Sequence, residues 1–279
     1  MQTWRNALQS KLSQQVHTSG VTLARFIFAA PIAALYLTSL YVYNPEEIPS
    51  FSLVFWQYVF IAAAMQIIAT SLMVILFKQK NFAVGAGLAK SEALVAGVLG
   101  TLFFGSQLTM LGWVGILIGT LSIFVLSGLL QKGQFSLKTV AIGLACGSSF
   151  ALTSLYVREA AHVLSVPFPY SAAWVLLWVL IIQTIALSSY ILFQHPQVIE
   201  QLKQHRKLTL ATSLTSCIGS IGWFSAMALQ HVAYVKTLGQ VEVLFTILIS
   251  NLWLKQPVKK NDVIGLILIS VAAILVMWS

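Results

Sequence analysis

What constrains this chain most is a succession of apolar segments, each about as long as a bilayer is thick, separated by breaks of a few polar residues. A helix rises about 1.5 Å per residue, so a hydrocarbon core of about 30 Å takes roughly 20 residues. Apolar stretches of that order occupy 22–43, 53–77, 82–104, 109–129, 139–159, 171–193, 208–229, 232–254 and 261–278. Of the 279 residues only 8% are charged and 58% are hydrophobic, too few polar side chains to clothe a water-soluble particle. The sequence therefore predicts an all-α integral membrane protein with nine clear spans. The first 20 residues carry Arg5 and Lys11 and are too polar to cross alone, and no apolar signal-peptide core precedes the first clear span.

An internal repeat organises these spans. Laying 66–118 on 216–268 at a constant offset of 150 needs no gap. It places Ala83 on Ala233, Glu92 on Glu242, Leu94 on Leu244, Leu102 on Leu252 and Gly115 on Gly265. Helix ends and two rare acidic residues coincide. The expected organisation is two five-helix repeats, 1–130 and 131–279, with ten transmembrane helices in all. The first of them, in the amino-terminal 16 residues, is shortened. An odd number of spans inverts the second half relative to the first, an arrangement common in secondary transporters.

The net charge of +9 belongs mostly to short loops. Lys11, Lys78, Lys80, Lys132, Lys138, Lys203, Arg206, Lys207, Lys255, Lys259 and Lys260 fall on one face; Glu46, Glu47, Arg158 and Arg5 fall on the other. The positive-inside bias puts the Lys-rich loops in the cytoplasm and both termini on the outer side. The basicity is thus topogenic and calls for no nucleic-acid partner. Cys146 and Cys217 sit singly in apolar segments and predict neither a disulfide nor a metal site. No phosphate loop, metallohydrolase or nucleophile-elbow motif is present, so the sequence predicts no enzyme, no cofactor and no ATP-driven pump.

Ionisable residues inside spans are costly, by about 2.5–3.5 kcal/mol on insertion scales, and are functional candidates by default. Four stand out: Lys90, Glu92, Lys236 and Glu242. Each Glu falls about ten residues into its predicted span, so the two carboxylates are expected near the midplane, facing each other across the pseudo-two-fold axis. At about 100° per residue, Lys90 and Glu92 diverge by about 200°, and Lys236 and Glu242 by about 120° and 9 Å of rise. Neither pair shares a stripe. Each charge must find its partner on another helix, in water or in substrate, and Lys236 can alternatively snorkel to the interface. Trp56, Tyr58, Trp223 and Tyr234, with Gln57, Gln66, Gln183, Gln240 and Ser220, are further candidates to line a cavity, or else serve as interfacial anchors and interhelical hydrogen bonds.

The stretches 89–119 (AKSEALVAGVLGTLFFGSQLTMLGWVGILIG) and 239–269 (GQVEVLFTILISNLWLKQPVKKNDVIGLILI) resemble the Glu-bearing helix pairs of the drug/metabolite transporter superfamily, in its ten-helix EamA-like branch. Glu92 and Gly105 keep that family's spacing, and Arg25-Phe26 matches its Arg-Phe pattern. Ala93 and Val243 replace a family Pro, and Gly105-Ser106 and Lys255-Gln256 replace its Gly-Glu helix end.

The resemblance implies a secondary transporter of the bacterial inner membrane, monomeric or homodimeric, whose partners are the bilayer, a small-molecule substrate and protons. Glu92 and Glu242, with Lys90 and Lys236, are the expected substrate-binding or proton-coupling residues. Charges of both signs suit export of an amino-acid-like metabolite. Export of lipophilic cations is the alternative, and a non-transporting assembly or lipid-handling subunit is the alternative of another class.

Overall fold

The computed structural model describes residues 2–79, 89, 91–126, 137–242, 245, 248, 251–252 and 260–278. Regular structure among them is helical throughout: α1 Gln2–Ser13, α2 Thr18–Ala24, α3 Ala29–Tyr43, α4 Leu53–Gln79, α5 Glu92–Phe103, α6 Met110–Leu126, α7 Leu137–Val163, α8 Tyr170–Gln194, α9 Gln197–Gln204, α10 Arg206–Leu229, α11 Val232–Gly239 and α12 Lys260–Met277. The spans Thr18–Tyr43, Leu53–Lys78 and Tyr170–Gln194 are long and apolar enough to cross a membrane. α7 and α10, with 27 and 24 residues, have that length too, but each carries a series of Ser and Thr. The expected all-helical membrane protein is what the chain forms.

Packing pairs α4 with α7, α6 with α12, α3 with α8 and α1 with α10, while α5 lies against α7 and α11. On α4 the buried positions Phe55, Val59, Ala62, Gln66, Ala69 and Met73 recur every three or four residues and form the stripe that meets its neighbours. The polar stretch after α8 is not a bare loop. It forms α9, whose Val198 and Leu202 pack beside Gly20 of α2, while the Gln201 Oε1 accepts from the His17 N–H at 3.0 Å.

The span expected at 22–43 is broken. Residues 25–28 form a turn between α2 and α3. Pro31 explains its place, because its ring has no N–H and collides with the carbonyl four residues back, that of Ile27. Freed backbone groups cannot turn to water inside a membrane and need other partners. Ser213 Oγ donates to the Ala24 carbonyl at 2.6 Å and accepts from the Phe28 N–H at 3.3 Å, and Thr184 Oγ1 donates to the Phe26 carbonyl at 3.3 Å. At the end of α5 the chain reverses through Gly105, φ +62°, a conformation open to glycine, and the Ser106 N–H reaches the Gly100 carbonyl at 2.9 Å. Arg158, expected as a charge on the outer face, donates to the Met227 and Gln230 carbonyls and so closes the end of α10.

Ser213→Ala removes both bonds at the helix break and should lower unfolding free energy by about 1–2 kcal/mol. Thr215→Ala, whose hydroxyl bonds only within α10, serves as the near-neutral control in detergent melts. His17 caps α2 by accepting from the Ser19 N–H, and burial, then His195 and Lys78, lower its pKa. The unfolded chain therefore takes up a proton before the folded one does. The stabilisation is complete above the ordinary His value of about 6.5 and is lost as pH falls below it. Melting temperature should drop between pH 7.5 and 5.5, and His17→Gln should flatten that dependence.

Candidate functional site

Two helices, α5 and α11, carry an opposite charge each into the interior at one of their ends. α5 begins at Glu92, and α11 ends at Gly239, after which Gln240 and Val241 make a turn and Glu242 is helical again. The continuous helix expected over 232–254 is therefore interrupted, one or two residues before its Glu. An acid in the first turn and a base in the last turn both oppose the helix dipole favourably, and Glu92 and Lys236 occupy those positions of α5 and α11.

Lys236 Nζ donates to Glu92 Oε2 at 3.1 Å, and the two residues are only 6% and 4% exposed. Lys236 does not snorkel. Its partner lies on another helix, as the angular mismatch with Glu242 requires. The ammonium also sits 4.5 Å from the centre of the Trp223 ring, a cation–π contact. Gly239 makes room for that indole: a Cβ there would meet Trp223 at 2.2 Å.

The pair borders a central cavity of about 40 Å³, room for a few waters. α1 contributes Arg5 and Asn6 to its wall, the end of α2 contributes Arg25, α4 Gln66, α7 Thr153 and Ser154, and α10 Ser220 and Trp223. A second opening of about 1160 Å³ runs along α10 and α11, mostly apolar, with Trp4, Gly222, Tyr234 and Glu242 in its wall. Trp223 lines both spaces.

Of the residues singled out from sequence, the structure gathers Glu92, Lys236, Gln66, Ser220 and Trp223 around the central cavity. Glu242 and Tyr234 line the lateral opening instead, so the two carboxylates do not share one cavity; Arg5 lies within electrostatic reach of both. Lys90 lies outside the described residues. Trp56 belongs to an aromatic cluster with Phe51, Phe55 and Trp178, 4.8 Å from the Trp178 ring. Gln57 is exposed on the far face of α4, and Gln240 is buried against Gly119 of α6. Gln183 donates to Gln66 at 2.7 Å and acts as interhelical glue. Sequence analysis missed Arg5 as a cavity residue by counting it with the outer-face charges; its position inside the segment that the repeat assigns to a helix was the signal. No group of three metal-ligating side chains occurs among the described residues.

Lys236→Met strands a buried carboxylate and should cost about 3 kcal/mol of stability, whereas Glu92→Gln combined with Lys236→Met should recover most of it. A double-mutant cycle of detergent unfolding midpoints measures this; equal losses in the single and double variants would refute the coupling.

No curated protein matches this sequence significantly. Among 22 matching chains of solved structures, one crystal structure aligns with a TM-score of 0.70 over 98% of this chain and 92% of that one, at 16% identity. At that identity the likeness concerns the fold. The model of the EamA-like transporter family matches residues 137–278, half of the chain. This protein belongs to the EamA-like transporter family, within the drug/metabolite transporter superfamily.

Proposed function

We propose that the chain is a secondary transporter that exports a small amino-acid-like metabolite across a bacterial inner membrane by alternating access. Glu92 and Glu242 are its substrate-binding or proton-coupling groups, and Lys236 is the internal counter-ion of the first. The observation that carries this reading is the buried Lys236–Glu92 pair, formed between the last turn of α11 and the first turn of α5. Substrate bearing an ammonium and a carboxylate can replace each partner in turn, which exchanges an internal ion pair for an external one at little net desolvation.

The ten-helix arrangement with two inverted halves is part of the same proposal. It is supported by the packing. The offset of 150 carries the α4–α7 contact onto α10–α1, and the α3–α8 and α6–α12 contacts onto themselves. Interrupted helices near a binding site are a recurrent feature of such transporters. With 1–130 and 131–279 as halves, Lys236 and Glu92 come from opposite ones, so the pair locks one half to the other and must open for the site to change sides.

Proteoliposome uptake of labelled amino acids under an imposed pH gradient tests the reading. The expected result is gradient-dependent flux that falls at least tenfold in Glu92→Gln and in Glu242→Gln, both variants remaining folded. Unchanged flux in both would refute the role of the carboxylates. The wide apolar opening beside Glu242 favours a second reading, export of lipophilic cations. Flux of tetraphenylphosphonium without flux of any amino acid would establish that one instead.

A further inference from the structure

The ion pair leaves the charge of the central cavity unbalanced. Arg5, Arg25 and Lys236 line it, and Glu92 is the carboxylate among its described lining residues, already engaged by Lys236. Arg5 and Arg25 are each 3% exposed. Arg25 Nη1 donates to Thr70 Oγ1 at 2.7 Å, and its guanidinium lies 5.8 Å from the Phe150 ring centre, while its buried Nε has no hydrogen-bond acceptor. Arg5 donates twice to one neutral oxygen, Asn6 Oδ1, at 3.1 and 2.8 Å. The two guanidinium groups are close enough to repel each other. Glu92 and Glu242 lie within electrostatic reach of Arg5, but among the described residues the direct bonds of the two guanidinium groups go to an amide and a hydroxyl, and a buried cation without a bonded anion is costly.

Building on the transport reading above, we infer that the cavity takes the oxyanion of its substrate, a carboxylate or a phosphate, on Arg25, with Arg5 as the second cation. A guanidinium presents a planar fork that matches either group with two parallel hydrogen bonds. Thr153 and Ser154 donate to carbonyls of their own helix and Gln66 accepts from Gln183, while Ser220 is a further neutral group on the wall. Recognition of charge therefore falls to the arginines. The cavity volume suits a head group of a few atoms, with the rest of the solute entering when the walls part. Arg25 stands at the turn between α2 and α3 and Arg5 on α1, so an anion held by both also ties α1 to the helix break.

The test uses the purified full chain in detergent and reads its melting temperature in sodium acetate and in sodium phosphate, against sodium chloride at equal ionic strength. A ligand that binds only the folded state raises that temperature. The expected result is a rise of a few degrees in at least one oxyanion, lost in Arg25→Gln and partly retained in Arg25→Lys. Acetate alone active identifies a carboxylate seat, and phosphate alone a phosphate seat. No rise over chloride in the wild type overturns the inference, and so does a rise that Arg25→Gln keeps. If Arg25→Gln does not fold, the wild-type series together with Arg25→Lys decides by the same criterion. Amino-acid flux that depends on Glu92 but not on Arg25 would overturn the anion seat and leave the transport reading standing. An Arg25-dependent anion response without Glu92-dependent flux would do the reverse.

Discussion

A lysine and a glutamate placed together in a low-dielectric interior set the terms for much else in this molecule. Neither charge is tolerable there alone. Lys236 needs a carboxylate within bonding distance, a ring face close by and a helix end whose dipole favours a cation; it has Glu92, Trp223 and the last turn of α11. Glu92 has the complementary first turn of α5. These arrangements require helices that stop inside the protein, and the interruption after Gly239 supplies one such end. Gly239 itself leaves the space that Trp223 occupies.

Breaking a helix where water is scarce creates a second requirement, for partners to the backbone groups that the break sets free. Around residues 25–28 the hydroxyls of Ser213 and Thr184 meet it. Thr184 stands on α8, and Ser213 is one of the Ser and Thr residues that lower the hydropathy of α10. Polarity in that helix is structural at one level of the bundle, where Ser213 touches α2, and lines the cavity two turns further on, where Ser220 sits.

The spans were legible because segment length and hydropathy respond directly to bilayer thickness. Helix interruptions were not, since hydropathy is blind to φ and ψ; Pro31 and Gly239 were the visible marks. α9 was hidden in a polar stretch because only Val198 and Leu202 of its eight residues are buried. For the site, intramembrane charge pointed to Glu92 and Lys236, and helical angles excluded a partner on the same stripe. That they would choose each other depends on how α5 and α11 cross, which no local pattern encodes. Gln57 was separable in principle: the buried stripe through Phe55, Val59 and Ala62 leaves position 57 on the opposite face. Arg5 escaped notice because a charge near a chain end looks like a topological signal.

The Ser- and Thr-bearing helices also bear on how the protein is made. A segment such as α10, with Thr209, Thr212, Ser213, Ser216 and Ser220 all buried, gains little by entering lipid on its own as it leaves the ribosome. α7, which packs on α4, is in the same position. In both cases the partner is synthesised earlier, α4 before α7 and α1 before α10. Chain order thus lets each polar helix leave the translocon onto a protein surface already waiting in the bilayer, so that biogenesis is coupled to packing, helix by helix.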